Sequence, residues 1–272
     1  MATNQLTQDR PCPDIPDNVM DMFSLKGKYC VVAGAGSGIG LAAVEAFLEA
    51  SAAGVAMLYN SNDKTIDLAK ELEKKFNGNS RVIALKCPVN DPKAVADVTQ
   101  KVVDEFGRID VYVANAGMGA SGPITEMTDD YYNKTTAVNF GGVFYGAREA
   151  GKVFKKQGSG SFIITSSMSG RIVNVPNTQA LYNAHKAGVT HLGKSLAFEW
   201  KDFARVNIVS PGFVETNMGA FNEIIEVNRH MTVMGRQGQT KEFKGIFLYF
   251  ASNASTYTTG AEILVDGGYT LP

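Results

Sequence analysis

The sequence predicts a doubly wound α/β domain in which helices cover both faces of a mostly parallel, seven-stranded sheet. Short apolar runs alternate along the chain with longer segments whose apolar residues recur every three or four positions. The chain has 272 residues, of which 44% are hydrophobic and 19% charged, which is enough for one core of ordinary size. No internal repeat, low-complexity tract or second compositional unit interrupts this pattern.

The strands and helices are assigned in chain order from this alternation. Apolar runs predict strands at 29–33, 55–59, 82–85, 111–114, 162–165, 206–209 and 263–265. Amphipathic stretches predict helices opening near 39, around 68–76, around 95–106, at about 129–157, and from about 182 to 200. Right-handed crossovers then place helices on both faces of the sheet.

The predicted domain covers residues 24–272, preceded by an N-terminal extension of residues 1–23. The extension is polar, contains three prolines (Pro11, Pro13 and Pro16) and lacks the apolar core of a signal peptide. Residues 217–236 break the alternation and contain three methionines and Phe221. They are predicted to be an insertion that lines a substrate cleft at the carboxyl edge of the sheet, where α/β proteins bind ligands.

Composition excludes several functional classes. A net charge of −1 argues against nucleic acid or a membrane surface as the main partner. No apolar run approaches the roughly 20 residues needed to span a bilayer. Three cysteines (Cys12, Cys30 and Cys87) have no metal-like spacing, and their odd number suits a reducing compartment. These features predict a cytoplasmic protein without a metal.

A glycine-rich turn follows the first predicted strand and opens the first long helix. Glycine permits a tight turn and lets the backbone approach a pyrophosphate, and the positive end of the helix favours the negative charge. The strand-turn-helix context predicts a Rossmann-type dinucleotide site, with a plain packing turn as the alternative. The candidate contacts are Gly34, Ser37, Gly38, Ile39 and Gly40.

The residues after the second strand predict the choice of cofactor. An acidic residue at this point binds the ribose hydroxyls of NAD and repels a 2′-phosphate. Here the segment is Asn60, Ser61 and Asn62, which is uncharged and can donate hydrogen bonds to a phosphate. Lys64 follows closely, so NADP(H) is favoured, while the nearby Asp63 leaves NAD as the alternative.

Tyr182 and Lys186 are a candidate acid–base pair. Their spacing places both side chains one helical turn apart on the same face. A phenol has a reference pKa of about 10. A neighbouring ammonium group favours the phenolate, so Lys186 is expected to lower the pKa of Tyr182 and make it a usable proton donor or acceptor. An exposed helix pair without catalytic function is the alternative.

Four further motifs appear in a fixed order after successive predicted elements. Asn115-Ala-Gly117 ends the fourth strand, Asn139 lies in the long helix, Ser167-Met-Ser-Gly170 follows the fifth strand, and Pro211-Gly-Phe-Val-Glu-Thr216 follows the sixth. With the glycine turn and the Tyr182/Lys186 pair, this order resembles the short-chain dehydrogenase/reductase family over essentially the whole chain beyond residue 24.

The likeness is greatest to the NADPH-dependent ketose and carbonyl reductases of yeasts and fungi, which include sorbose reductases and mannitol dehydrogenases. The segments that carry this closer likeness are 59–61, 204–207, 254–260 and 266–269.

The resemblance implies roles for the catalytic residues. Tyr182 would be the general acid for carbonyl reduction and the base for alcohol oxidation. Lys186 would lower the pKa of Tyr182, and it would bind the nicotinamide ribose beside Tyr182. Ser167 would hydrogen-bond the substrate oxygen, with Ser166 and Ser169 as rivals.

Other matched positions would hold the cofactor or connect the site to solvent. Asn139 would hold a water that links the lysine to solvent. Asn115 and Gly117 would flank the adenosine side. The backbone of Val214 and the hydroxyl of Thr216 would hold the nicotinamide carboxamide.

The resemblance therefore implies a hydride transfer from NADPH to a small carbonyl substrate. A ketose or small hydroxyketone, such as a sorbose-, fructose- or xylulose-like sugar, or an aryl ketone, is the expected substrate. Members of the family are often homotetramers, so the same assembly is expected here. Two alternatives stay open: an NAD-linked polyol dehydrogenase, and a regulator that binds the cofactor without catalysis.

Overall fold

A computed structural model describes residues 12–216 and 222–271 of the chain. In this part of the chain, seven strands form one sheet in the order β3-β2-β1-β4-β5-β6-β7, and every neighbouring pair is parallel. The strands are β1 Tyr29–Ala33, β2 Gly54–Tyr59, β3 Arg81–Lys86, β4 Val111–Ala114, β5 Ser161–Thr165, β6 Arg205–Pro211 and β7 Glu262–Val265.

Helices connect these strands. The α-helices are α1 Val19–Met22, α2 Gly38–Glu49, α3 Thr65–Lys75, α4 Pro92–Phe106, α5 Asp129–Thr136, α6 Gly142–Gln157, α7 Ala180–Glu199, α8 Asn222–Met231 and α9 Lys244–Ala251. Short 3₁₀ turns cover Ile124–Glu126, Met168–Gly170, Thr240–Phe243 and Asn253–Ser255. The predicted α/β alternation is confirmed, and the sheet described here is parallel throughout rather than mostly so.

The core has two apolar layers, one on each face of the sheet. Alternate residues of β1 show this division, because Val31 packs in the layer under α4, α6 and α7, whereas Val32 packs under α2, α3 and α9. Both side chains are fully buried. Burial on both faces explains why the strands read in sequence as continuous apolar runs rather than as alternating ones.

The strand order reverses between β1 and β4. β1 pairs with β2 on one side and with β4 on the other, so the chain leaves these two strands in opposite directions. This reversal opens a crevice at the carboxyl ends of the strands, which is where ligands bind in such sheets. The glycine turn after β1 and the Asn115 segment after β4 both lie at this point.

The long helix predicted at about 129–157 differs from an ordinary α-helix in its middle. Ala137–Gly141 forms a π-helical segment that joins α5 directly to α6. A π segment adds one residue to a turn and often occurs at functional sites. Asn139 lies within it and is buried. The extra residue changes which face each later side chain occupies, and a hydrophobic repeat read from sequence does not reveal it.

Two predicted segments lie partly outside the described residues. Of the N-terminal extension, residues 1–11 fall outside, while Asn18 caps α1 through its side chain. Just after the extension, the Leu25 amide donates to the Ala50 carbonyl at 2.8 Å. Of the predicted insertion 217–236, residues 217–221 fall outside, and the following ten residues form α8. The assignments of an extension and of a substrate-cleft insertion stay predictions.

Candidate active site

The glycine turn is built by backbone contacts that leave no room for side chains. Gly34 has a φ of +73°, and a Cβ there would lie 3.0 Å from the Cα of Ala116. A Cβ on Gly40 would overlap the Gly34 carbonyl oxygen and lie 2.6 Å from the amide nitrogen of Asn115. These approaches explain why the turn requires glycine at both ends.

The first turn of α2 offers an uncapped helix N-terminus beside this turn. Ser37 is the N-cap residue, yet its side chain makes no capping hydrogen bond, and no acidic residue lies in the first turn. Backbone N–H groups of Gly38, Ile39 and Gly40 begin the helix there. The donors and the helix dipole fit a dinucleotide pyrophosphate, so the residues present are compatible with the predicted cofactor.

The polar loop after β2 lies next to the glycine turn. A Cβ on Gly36 would lie 3.5 Å from the side-chain amide nitrogen of Asn62. The backbone carbonyl of Asn62 accepts a 2.7 Å hydrogen bond from the Thr65 hydroxyl. Asn60, Ser61 and Asn62 are all exposed. The Asp63 carboxylate lies 4.0 Å from the Lys86 ammonium group. The loop therefore presents amide and hydroxyl groups at the rim of the crevice.

Asn115 supports the glycine turn. Its amide nitrogen donates to the carbonyl oxygens of Ala33, at 3.3 Å, and Gly34, at 3.2 Å. In the free protein its side chain thus holds the turn in place, in addition to any contact on the adenosine side. Gly117 lies deeper, where a Cβ would be 3.4 Å from Asn139 Oδ1 and 3.8 Å from Lys186 Nζ.

Asn139 links the π segment to the loop after β4. Its Oδ1 accepts a 2.8 Å bond from the Met118 amide, and its Nδ2 donates a 2.9 Å bond to the Met118 carbonyl. This two-point contact fixes the Asn115–Gly117 loop over the site. The side chain is already used in this contact, and the water-holding role expected for Asn139 stays a prediction.

The structure brings together the Tyr182, Ser167 and Lys186 side chains. Ser167 lies near the Tyr182 hydroxyl and lowers the pKa of the phenol through hydrogen bonding. Lys186 Nζ lies 5.6 Å from the centroid of the Tyr182 ring and donates a 2.9 Å bond to the Thr165 carbonyl. All three side chains come from the carboxyl end of β5 or from α7.

The two neighbouring serines make different contacts. Ser166 is buried and bonded to the Lys186 carbonyl, at 3.0 Å, and to the Thr190 hydroxyl, at 2.6 Å, so it anchors α7. Ser169 lies 3.1 Å from the Ser167 hydroxyl. Ser167 is thus the serine near the tyrosine hydroxyl, and Ser169 contacts Ser167.

One expectation about the acid–base pair is wrong for the free protein. Burial raises the pKa of Tyr182 to about 12, while the hydrogen bond with Ser167 lowers it to a smaller extent. The Lys186 ammonium does not offset this burial, because it lies beside the ring and bonds Thr165 rather than the phenol oxygen. Burial also lowers the pKa of Lys186 to about 8.

The segment after β6 lies opposite the glycine turn. Val214 forms a parallel bridge with Gly238, and the amide of Glu215 donates to the Gly238 carbonyl at 2.9 Å. A Cβ on Gly38 would lie 3.4 Å from the Cγ2 of Thr216. Val214 and Thr216 therefore lie across the crevice from the start of α2, and their predicted contacts with the carboxamide stay predictions.

Sequence reasoning missed a cluster of amide side chains at the start of α7. Gln179 Nε2 lies within hydrogen-bond distance of oxygens on Ser169, Asn174 and Asn183. A signal was present, because four amide residues occur within ten positions, and Gln179 and Asn183 have the same spacing as Tyr182 and Lys186. The long loop before α7 hid their proximity to Ser169.

Two features are absent from residues 12–216 and 222–271. No group of three or more His, Cys, Asp or Glu side chains in this part of the chain could hold a metal ion. Within the same residues, no helix has the length and apolar character to cross a membrane.

Comparisons with known proteins agree with this geometry. A family model described as enoyl-(acyl carrier protein) reductase matches residues 34–270. A probable NADP-dependent mannitol dehydrogenase of Yarrowia lipolytica is 45% identical, over 100% of this chain and 98% of its own length. Sorbose reductase SOU1 of Candida albicans is 48% identical, over 96% and 93%.

A solved structure extends the likeness to three dimensions. The NADPH-dependent 3-quinuclidinone reductase of Rhodotorula rubra has a TM-score of 0.94 and 47% identity, covering 97% of this chain and 98% of the other. Sequence, fold and the arrangement around Tyr182 therefore agree, and the chain belongs to the short-chain dehydrogenase/reductase family.

Proposed function

We propose that this protein is an NADPH-dependent oxidoreductase that reduces the carbonyl group of a ketose or small hydroxyketone. The observation that carries the proposal is the contact between the Tyr182 hydroxyl and Ser167 beside a buried lysine, at the crevice that also contains the glycine turn. Relatives named as mannitol dehydrogenase, sorbose reductase and quinuclidinone reductase support a carbonyl or sugar substrate.

The cofactor is NADP(H). The helix N-terminus at Ser37 and the glycine turn would hold its pyrophosphate, and the uncharged loop Asn60–Asn62 would accept its 2′-phosphate. Lys186 would bind the nicotinamide ribose. When bound, the cofactor supplies the hydride, and the protein provides orientation and electrostatics.

The side chains of this protein then bind the substrate oxygen and transfer a proton to it. The hydroxyls of Ser167 and Tyr182 lie near each other, so one substrate oxygen beside both can accept a hydrogen bond from each. The Tyr182 proton moves to this oxygen as negative charge develops on it. In the free protein the Lys186 ammonium lies beside the ring, 5.6 Å from its centroid. With the cofactor bound, Lys186 would stabilise the phenolate that remains.

Ser169 and Asn139 support this arrangement without touching the reacting oxygen. Ser169 bonds Ser167 and limits the directions its hydroxyl can take. Asn139 fixes Met118 and the loop that covers Lys186. Such fixed orientation is a large part of what an active site contributes to rate.

Oxidation of the two reduced cofactors tests the function directly. NADPH and NADH consumption is followed with sorbose, fructose, xylulose and an aryl ketone. NADPH-dependent turnover of at least one carbonyl is expected, with a marked preference over NADH. No turnover of any carbonyl with either cofactor contradicts the proposal, and a strong NADH preference favours the NAD-linked polyol dehydrogenase.

The proposal extends to a homotetramer in the cytoplasm. Phe144 on α6 and Phe198 on α7 are 43% and 64% exposed, and apolar surface on these helices supports burial against other subunits. Cys12, Cys30 and Cys87 are free thiols, which suits a reducing compartment. A mass of one chain in light scattering contradicts the tetramer. The position of a fluorescent fusion in the cell tests the cytoplasmic location.

A further inference from the structure

A buried carboxylate connects three elements that surround the candidate active site. Glu262 begins β7, whose other residues are apolar, and its side chain is only 1% exposed. Its Oε2 lies 2.7 Å from Arg171 Nη2 and 3.1 Å from Lys194 Nζ, and its Oε1 accepts a 2.9 Å bond from the Ser210 hydroxyl. We call these four residues the Glu262 cluster.

Each partner of this carboxylate belongs to an element that carries part of the site. Arg171 directly follows residues 167–170, which we call the Ser167 turn. Lys194 lies on α7, the helix of Tyr182. Ser210 lies on β6, which leads into the segment expected to hold the nicotinamide carboxamide. One carboxylate thus joins the Ser167 turn, the Tyr182 helix and the end of β6.

Glu262 is the first residue of its strand, yet it lies level with the carboxyl ends of the neighbouring strands. The register pairs Glu262 with Ile208, and Ile208 with Ile164, which is the penultimate residue of β5. The carboxyl ends of the strands border the crevice where ligands bind. The Glu262 cluster therefore lies at the level of the sheet from which the Ser167 turn departs.

The carboxylate is ionised and holds both cations. Burial raises the pKa of Glu262, but hydrogen bonds from Arg171, Lys194 and Ser210 outweigh this effect and hold the pKa below its ordinary value. Hydrogen bonds between charged groups are shorter and stronger than those between neutral groups. The position of Arg171 relative to α7 is therefore set by this one side chain.

The backbone transmits the position of Arg171 to Ser167. The Arg171 amide donates to the Met168 carbonyl at 2.9 Å, and the Gly170 amide donates to the Ser167 carbonyl at 3.0 Å. A Cβ on Gly170 would lie 2.9 Å from the carbonyl carbon of Lys186, so the turn packs directly against α7. A displacement of Arg171 would move the whole turn along this helix.

A similar ion cluster exists at the opposite edge of the sheet. Asp110 directly precedes β4, its side chain is 5% exposed, and Arg108 Nη2 lies 2.6 Å from it. The Tyr29 amide also donates to this carboxylate, at 2.9 Å, so Asp110 joins the amino ends of β1 and β4. Arg108 and Arg171 are equally exposed, at 45% each. The two clusters match in burial and charge but differ in which end of the sheet they join.

We propose that Glu262 is a positioning residue of the active site, which acts through Arg171 to hold the Ser167 turn against α7. The Ser167 and Tyr182 hydroxyls then stay within reach of one substrate oxygen. Small errors in the placement of catalytic groups cost much of the rate, so a shift of the turn affects the chemical step. This inference rests on the proposed function and adds residues that do not touch the substrate.

The test separates the rate of reduction from the binding of the cofactor. For Arg171→Met and Glu262→Gln, we expect kcat for carbonyl reduction with NADPH to fall about tenfold or more. The NADPH dissociation constant should stay close to that of the unmodified enzyme, because the pyrophosphate site lies at the glycine turn. The double variant should lose no more than the more affected single variant, since both changes break the same contact.

Matched variants distinguish positioning from a general loss of stability. Arg108→Met and Asp110→Asn make the corresponding changes in the cluster at the amino ends of the strands, and their kcat should equal that of the unmodified enzyme. Arg171→Lys keeps the charge and should recover most of the kcat lost in Arg171→Met. Circular dichroism confirms that each variant is folded at the assay temperature, and Arg171→Met carries the test if Glu262→Gln does not fold.

Four outcomes overturn the inference. They are an unchanged kcat in Arg171→Met, an equal loss in Arg108→Met, additive losses in the double variant, and a loss of NADPH affinity as large as the loss of kcat. Failure of the unmodified chain to reduce any carbonyl instead contradicts the proposed function, and this inference with it.

Discussion

The two halves of the crevice are built by opposite means. The half formed by β1, β2 and the start of α2 depends on the absence of side chains, because a Cβ at Gly34 or Gly40 would collide with neighbouring backbone. The half formed by β5 and α7 depends on side chains that are present, chiefly Ser167, Tyr182 and Lys186. The first half offers fixed N–H groups to an anion, and the second offers groups that exchange protons.

This difference sets which substitutions each half tolerates. Binding through backbone amides survives most side-chain changes but fails when atoms are added to the turn. Proton transfer fails when one atom of a side chain is removed, even if the shape is kept. Four predictions test or sharpen this contrast, in decreasing order of expected effect.

The largest effect is expected in the half built from side chains. Tyr182→Phe removes one oxygen and is predicted to lower kcat by about a thousandfold, because general acid catalysis typically contributes about 10² to 10⁴ in rate. Carbonyl reduction is assayed with NADPH. NADPH affinity and the thermal midpoint should stay close to those of the unmodified enzyme, and a variant with more than a tenth of the original kcat contradicts the assignment.

The buried lysine is predicted to give a distinctive pH dependence of stability. Burial lowers the pKa of Lys186 to about 8, from an ordinary value near 10.5, so between these pH values the unfolded chain binds the extra proton. The penalty for burying the charge is fully present below pH 8 and is relieved as the pH rises. Relative to Lys186→Met, the free energy of unfolding should therefore rise between pH 8 and 10.5, by up to about 3 kcal/mol.

Urea unfolding at several pH values measures this difference. Lys101→Met, which removes an exposed lysine of α4, is the control for loss of charge. A difference between the unmodified protein and Lys186→Met that stays constant from pH 7 to 10.5 contradicts the burial of a charged lysine.

The half built from backbone should respond to added atoms. Gly40→Ala places a methyl group against the Gly34 carbonyl and the Asn115 amide, and overpacking of this kind costs about 1–3 kcal/mol. We expect a lower thermal midpoint and at least a tenfold loss of NADPH affinity. Gly245→Ala is the matched control, because nothing lies within 4 Å of its Cβ position and it is in α9, where alanine is favoured. Equal effects of the two variants would show that the turn is not tightly packed.

The smallest effect concerns the choice between the two cofactors. Asn60→Asp puts a negative charge at the end of β2, where it repels a 2′-phosphate and can bind ribose hydroxyls. The ratio of kcat/KM for NADPH to that for NADH should fall about tenfold, or about 1.4 kcal/mol. Asn79→Asp, which adds the same charge to an exposed loop before β3, should leave the ratio unchanged. An unchanged ratio in Asn60→Asp would mean that this position does not face the 2′-phosphate.

Local patterns were sufficient to predict most of the fold. The seven strands and most of the helices follow from apolar runs and helical periodicity, because burial on both faces of a parallel sheet leaves a continuous signal. The strand-turn-helix context of Gly34–Gly40 likewise predicted that a helix begins directly at the glycine turn. The π segment at Ala137–Gly141 escaped prediction, since one extra residue in a turn leaves the composition of the helix unchanged.

The α/β architecture, the glycine turn and the residue types available for proton transfer all follow from the amino-acid sequence alone. These depend on short-range spacing and on which side chains can be buried. Three features required the folded chain: Ser167 rather than Ser166 lies near Tyr182, burial raises the pKa of this phenol, and Gln179 contacts Ser169. Each of these depends on the packing of segments far apart in the chain, where desolvation and unpaired hydrogen bonds are set by neighbours that no local pattern specifies.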